Sequence, residues 1–305
     1  MNNKLPFVVV LLLTYNGKKL LQDSIPTYLK NNYSNFKVVV IDNGSSNGTK
    51  DFVKSHFPEV DLIRLDKNRG YSGGFNFGLQ YSTKDLNADF VLVSNDDVIA
   101  DKNLISQLVE VANTNNQIGF VTGKVFFYNS DSEGNILQTV GKMSDSYSIV
   151  GNHIGGGELD EGQFDKVVER DFIDDVYMLV RSDLIDKTGG YDEDFFMQYE
   201  ESDWQIRSKK LGYKIYFTPH AKLWHKVGMS TGGKDSPLRN FNYEKSRFML
   251  IRKHTSSNHI LKYLFINLVY TLPLFFLSSV VKNQTNLAFS RFRGLISGIV
   301  WLLRH

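Results

Sequence analysis

The chain opens as an alternation of apolar runs and amphipathic segments. Phe7–Leu13, Phe36–Ile41, Val60–Leu65 and Phe90–Ser94 are apolar or strongly apolar-biased, as expected of strands covered on both faces in a parallel sheet. Between and after them, Lys18–Lys30, Thr49–His56, Gly73–Ser82 and Asn103–Asn113 carry helix-forming patterns. In the first, Leu20, Leu21, Ile25 and Leu29 fall on one face. Strands alternating with helices of this length predict βαβ units with right-handed crossovers, hence an α/β, Rossmann-like fold with a mostly parallel sheet flanked by helices. Ligands of such sheets bind at the carboxyl ends of the strands. The polar punctuation falls there: Thr14-Tyr15-Asn16, Asp42-Asn43-Gly44-Ser45, Asn68-Arg69-Gly70 and Asn95-Asp96-Asp97.

After Ile118–Phe127 the pattern loosens. Tyr128–Phe172 is rich in Gly, Ser, Asp and Asn, with a strand-like piece at Ile136–Val140, and reads as a surface excursion, a hairpin or an acceptor-side loop. Regular character returns at Val176–Val180 (strand), Ser182–Lys187 and Glu200–Leu211 (helices) and Tyr213–Phe217 (strand), while Gly228–Leu238 has loop composition. The last segment is a different material. Leu264–Val281 contains no charged residue and sits at the lower length limit for a membrane span, but Pro273 interrupts it and basic residues flank both sides. An in-plane or re-entrant anchor fits better, with Leu287–Leu303 as a basic amphipathic helix. The alternative is a helical cap on the domain or the interface of a homodimer. The division expected is an α/β domain over 1–255 and a membrane-associating helical tail over 256–305.

Composition narrows the class. With 305 residues, 42% hydrophobic and 22% charged, the chain is ordinary globular material. A net charge of +2 speaks against a dedicated nucleic-acid-binding domain. No cysteine is present, so disulfides and thiolate metal sites are excluded, which fits a reducing compartment. The apolar run after Lys4 is short and ends in turn chemistry at Thr14–Gly17, so it reads as a first strand, not a signal peptide, and the domain is expected on the cytoplasmic side.

Candidate chemistry clusters in Gly189–His225. Asp192, Glu193, Asp194, Glu200, Glu201 and Asp203 are interleaved with Phe195, Phe196, Met197, Tyr199 and Trp204. Acids among large apolar groups can have their ionisation tuned by burial and neighbouring charge, as an active-site base requires. Asn95-Asp96-Asp97 ends a buried strand with two adjacent acids, which repel unless a cation or donor compensates; oxygen ligands of this kind suit Mg2+ or Mn2+. The competing explanation is a helix cap. Asp42 is either a turn former or a holder of a nucleoside. Glycines after Asn68-Arg69 allow backbone approach to a diphosphate, without forming a dinucleotide fingerprint or a P-loop. His225, beside Trp224, would ordinarily be a packing residue.

These segments, Leu12–Gly17, Val40–Ser45, Asn68–Gly78, Ser94–Val98 and Gly189–Arg207, follow the order found in GT-A-fold inverting glycosyltransferases of family two, and the chain resembles the bacterial rhamnosyltransferase-like group most closely, from about Pro6 to His254. The resemblance implies that Asp42 holds the nucleotide base, and that Thr14, Tyr15, Asn16, Asn68, Arg69 and Gly70 line the nucleoside. Asn95 and Asp96 would stand beside the donor. Asp97 would be the direct metal ligand, joined by His225, and Glu201 the catalytic base. Two departures bear on this. Asn95 replaces the first acid of the metal motif. Glu201 stands where the family usually has Asp, which keeps Asp203 as a competing base.

The implied partners are a nucleoside-diphosphate sugar (dTDP-rhamnose, or a UDP-sugar such as a UDP-hexose or UDP-galactofuranose), a glycan or lipid-linked glycan acceptor, and the cytoplasmic face of a membrane. The other readings are an inactive nucleotide-sugar-binding module and a dinucleotide-dependent oxidoreductase. The second is disfavoured because the first strand ends in Thr14-Tyr15-Asn16-Gly17.

Overall fold

The computed structural model describes residues 5–128, 134–227 and 236–304. The first half is β1 (Val8–Thr14), α1 (Lys18–Leu29), β2 (Phe36–Asp42), α2 (Thr49–His56), β3 (Asp61–Arg64), α3 (Gly70–Gln80) and β4 (Phe90–Asn95). Each is the element the apolar pattern predicts, although α3 begins at Gly70 rather than Gly73 and runs on into a wider turn at Tyr81–Asp85. β1 lies between β2 and β4 and is parallel to both; β3 extends the sheet beyond β2. Side chains alternate through it. Val8, Val10 and Leu12 enter the core under α1 and α4 (Leu104–Ala112), while Val9 and Leu11 enter the core under α3. Both faces are covered, which is why these strands read as continuous apolar runs.

The second half is mixed. After β5 (Val98–Ala100) come β6 (Ile118–Phe127), β7 (Leu137–Thr139), β8 (Lys142–Asp145), β9 (Ile149–His153), β10 (Val168–Glu169) and β11 (Tyr177–Arg181). β11 slots antiparallel between β4 and β6. α5 (Ser182–Thr188) and α6 (Glu200–Lys210) lead to β12 (Lys214–His225), parallel to β6, giving the order β10-β12-β6-β11-β4-β1-β2-β3. The polar excursion is therefore ordered where described. Its β8–β9 hairpin is a separate two-stranded sheet, and Lys124, buried at 3% side-chain exposure, ties the return segment down through Asp160 and Asp165 at 2.8 Å each. The loop composition at 228–235 lies outside the described residues.

Ser236 and Pro237 start α7 (Pro237–His254), with the Ser236 hydroxyl accepting from the Arg239 N–H. One continuous helix follows from Ser257 to Val281, made of α8 (Ser257–Ile266), a wide turn at Asn267–Thr271 and α9 (Leu272–Val281). Pro273 does not break it, contrary to expectation. The wide turn immediately before Pro273 loosens the hydrogen-bond ladder where the missing N–H and the ring would otherwise conflict. α10 (Thr285–Leu302) returns along α7 so closely that a Cβ on Gly294 would meet the Phe241 carbonyl oxygen at 2.2 Å. Phe248, Ile251, Tyr263, Leu272 and Leu295 form the core beneath. The opposite side of the tail is apolar and exposed: Leu261, Phe265, Leu274, Leu277, Val281 and Phe289 are each at least 59% exposed.

Candidate active site

A cavity of about 670 Å³ opens where the carboxyl ends of β4 and β12 meet the β8–β9 hairpin, the start of α6 and one face of α7. The strand alternation at the end of β4 divides the three polar residues there. Asn95 and Asp97 line the cavity, while Asp96 turns the other way and accepts a 2.6 Å hydrogen bond from Thr14 Oγ1. A Cβ on Gly17 would fall 2.2 Å from Asp96 Oδ2, so glycine is required for the β1–α1 turn to close over this acid. Burial, together with the adjacent Asp97 charge, pushes the Asp96 carboxyl up to about 7.

β12 brings His225 to Asp97, with Nε2 3.1 Å from Oδ1. The other ring nitrogen, Nδ1, faces Gln138 Oε1 at 2.8 Å. With the amide oxygen accepting, Nδ1 carries a hydrogen and Nε2 is the ring nitrogen turned toward the carboxylate. The carboxylate is the kind of oxygen ligand that Mg2+ and Mn2+ prefer, and a neutral imidazole is a common metal ligand beside it.

The facing wall is acidic. Gln198 and Tyr199 are successive non-glycine residues in the left-handed region, with φ of 68° and 67°. Such strain costs about 1–3 kcal/mol per residue and is concentrated at functional sites. Here it turns the chain abruptly into α6, so that Glu200 and Glu201 open the helix inside the cavity, where its dipole favours negative charge. Asp175, from the segment before β11, joins them, and the three carboxylates lie within 4.8 Å of one another, close enough to share a cation. Lys142, on β8, ion-pairs both Glu201 at 2.9 Å and Asp174 at 2.6 Å. Burial alone would lower the Lys142 pKa; the two carboxylates outweigh it and the net shift is upward. Burial and then the Glu201 charge push Asp175 up to about 8, and burial, then the Asp175 and Glu201 charges, hold Glu200 well above the usual carboxylate range. Glu201 is the member of the three that pairs with the lysine. Lys142 and Ser202 both donate to Glu201 Oε1, leaving Oε2 without a hydrogen bond among the described residues.

Of the other residues singled out in the sequence, Asp203 lies outside the cavity. It is bound by Arg207 at 2.7 Å and His254 at 2.7 Å, which, against the effect of burial, hold its carboxyl below the usual range. Thr14, Tyr15, Asn16, Asp42, Asn68, Arg69 and Gly70 gather beside the cavity at the ends of β1 and β2 and after β3, but do not line it. Asp42 is fully buried; it accepts from the Ser45 N–H at 2.8 Å and pairs with Arg64 at 2.7 Å. Asn43 organises the 68–70 turn, accepting from the Arg69 N–H at 2.9 Å and donating to the Gly70 carbonyl at 2.9 Å. Sequence reasoning passed over Lys142, Asp174, Asp175, Gln138 and the α7 arginines. Asp174-Asp175, a second acid pair beside a buried strand, was the one available signal.

The glycosyl transferase family 2 model matches residues 9–176, more than half of the chain. The chain belongs to glycosyl transferase family 2. Among curated relatives of this family 2 chain is the poly-beta-1,6-N-acetyl-D-glucosamine synthase of Staphylococcus aureus (strain COL), 24% identical over 233 residues, covering 76% of this chain and 52% of the relative. The Staphylococcus epidermidis enzyme of the same name is 25% identical over 235 residues, covering 73% and 50%. The chain therefore spans about half the length of the curated relatives it matches. Two solved structures share the fold. GalNAc-T7, solved with UDP, GalNAc and Mn2+, superposes with a TM-score of 0.62 at 13% identity, covering 82% of this chain and 48% of that one. A mannosyltransferase from Pyrobaculum calidifontis, solved with GDP-Man and Mn2+, gives 0.57 at 13% identity, covering 97% and 88%. The α/β sheet, mostly parallel with antiparallel additions, is thus the GT-A type expected from the sequence.

The Asp96 shift has a stability consequence. Its folded pKa is raised, so its contribution is fully present below about pH 4 and is lost as pH rises to about 7. In EDTA-containing buffer, Asp96→Asn should gain stability relative to the unsubstituted protein across that window, on the order of 4 kcal/mol at most, and then level off. Melting temperatures of the pair from pH 4 to 8 test this; a constant difference would refute it.

Proposed function

We propose that this family 2 chain is an inverting glycosyltransferase, moving a sugar from a nucleoside diphosphate to a hydroxyl of a glycan acceptor at the cytoplasmic face of a membrane. The observation that carries the reading is the facing of Asp97 and His225 across one cavity from Glu201, whose Oε2 is open to a substrate. Asp97 and His225 would hold Mg2+ or Mn2+, which when bound neutralises charge on the departing diphosphate. The 14–16, 42 and 68–70 turns would hold the nucleoside. The acceptor hydroxyl, placed at Glu201, gives its proton to Oε2 as its oxygen bonds to the anomeric carbon. The bond from that carbon to the diphosphate oxygen breaks on the opposite face, which inverts the configuration. Glu201 is the base in preference to Asp203, because both oxygens of Asp203 are engaged away from the cavity.

For the donor we propose dTDP-rhamnose or a UDP-sugar. The motif order supports the first. The curated relatives, named for a polymer of N-acetyl-D-glucosamine, favour including a UDP-linked N-acetylhexosamine. The exposed apolar side of Ser257–Val281, only 17% of whose most apolar window is buried, supports peripheral or monotopic membrane attachment and a lipid-linked acceptor.

Turnover against a panel of dTDP-, UDP- and GDP-sugars, with and without Mn2+, tests the activity directly. Glu201→Gln should lower transfer by about 10²–10⁴-fold while nucleotide affinity stays within twofold; full activity would remove Glu201 from the mechanism. Asp97→Ala should abolish the Mn2+-dependent part of nucleotide binding in calorimetry. Replacing exposed Leu274 and Leu277 with Glu should shift the protein from the membrane to the soluble fraction without changing its melting temperature; unchanged partitioning would rule out attachment through this face.

A further inference from the structure

The cavity has a wall that the acid and metal chemistry leaves unused. α7 presents Arg239, Tyr243 and Arg247 to it, one turn apart on a single face, so the arginines are spaced by about 12 Å along the helix. Among the described residues, the other lysine or arginine lining the cavity is neutralised: Lys142 lies between Asp174 and Glu201. Neither arginine has an ion pair or a side-chain hydrogen bond among the described residues. The Arg247 guanidinium is held instead by ring faces, 5.4 Å from Tyr147, 5.9 Å from Tyr243 and 5.4 Å from Tyr263. Its Nε is buried without a hydrogen-bond partner.

Neither nearby acid bonds to Arg247, although each keeps one oxygen without a hydrogen bond among the described residues. Asp145, whose charge Arg247 feels, accepts from the Tyr147 N–H and from Ser148. Glu244, on the same helix, is fully buried on the tail side, receiving Asn267 at 3.0 Å and facing Arg291 at 3.8 Å. A guanidinium fixed by aromatic rings, partly desolvated and lacking a bonded carboxylate is a prepared anion site.

Its location indicates which anion. Tyr263 belongs to α8, the first part of the exposed apolar helix, and Tyr147 sits at the tip of the hairpin that carries Lys142 to Glu201. His259 of α8 lies 2.8 Å from the Tyr147 carbonyl. Arg247 thus stands between the cavity and the buried side of α8, the helix whose other side is the exposed apolar face. An amphiphile with its hydrocarbon on that face and its sugar at Glu201 would place the group joining them against α7.

We propose that Arg239 and Arg247 form an anion subsite for the acceptor, taking a phosphate-class group that links the acceptor sugar to an apolar chain. The proposal rests on the glycosyltransferase reading only in calling that ligand the acceptor, and binding can be measured without turnover. With the full chain, calorimetry would compare decyl phosphate below its micelle concentration, decanol and inorganic phosphate, and separately UDP with Mn2+. Decyl phosphate should bind at least ~10-fold tighter than either of the others. Arg247→Met should remove that preference and Arg247→Lys retain part of it, with UDP–Mn2+ affinity changed less than about twofold. Arg239→Gln, at the other end of the subsite, should weaken decyl phosphate in the same sense and serves if Arg247→Met fails to fold. Equal binding of decanol would reduce the site to an apolar surface. Equal binding of inorganic phosphate would make it a free-anion site. A parallel loss of UDP affinity would assign the arginines to the donor diphosphate. Each of these overturns the proposal. Failure of every sugar donor in a turnover assay would instead sink the enzymatic reading and leave the binding result standing.

Discussion

The ammonium of Lys142 is the contact on which the site depends. It joins three segments distant in the chain: the hairpin strand β8, the acid pair before β11 and the first turn of α6. Asp174, Asp175, Glu200 and Glu201 could not share one buried volume as four anions. The lysine neutralises part of that charge, and burial with the neighbouring carboxylates shifts Asp175 and Glu200 upward, towards their neutral forms. Removing one partner of a buried pair typically costs about 3–5 kcal/mol, because the other charge is left uncompensated. The hairpin is thereby a wall of the cavity and not a loose surface excursion. Its position also fixes Tyr147, and through Tyr147 the packing of α8.

A second constraint runs through α7. One face of this helix supplies the cavity with Arg239, Tyr243 and Arg247, and another buries Phe248, Ile251 and Glu244 against the tail helices. Lys253 continues the connection, pairing with Asp192 and lying 5.3 Å from the ring of Trp301. The tail is therefore not appended to the catalytic fold by a free linker. The surface that would meet a membrane and the wall that would meet an acceptor are two sides of the same packed layer.

Much of the fold was legible because its causes are local. Continuous apolar runs such as Val8–Leu12 follow from burial on both faces of a sheet, and the turns after them carry the Asn, Asp and Gly that such turns need. The separate tasks of Asp96 and Asp97 follow from alternation along a strand, which the sequence contains but does not orient. Other features were hidden. Pro273 reads as a helix breaker, yet a wide turn one step earlier accommodates it. Lys142 sits in a segment whose Gly, Ser and Asp content suggests a loop. Arg239 and Arg247 show an ordinary helical spacing in a basic stretch, and only their surroundings distinguish them from solvated surface charge.

The sequence by itself determined the α/β alternation, the family, the polar turns at the strand ends and the apolar tail, since each depends on residues adjacent or a helical turn apart. Tertiary structure alone decided that Glu201 rather than Asp203 faces the cavity. Both acids lie in the first turn of α6, but Asp203 points to Arg207 and His254, and Glu201 to Lys142. It also decided that His225 meets Asp97, because that contact needs β12 to pass β5 at one register. Periodicity states which residues share a face; the order of strands in the sheet determines what that face meets.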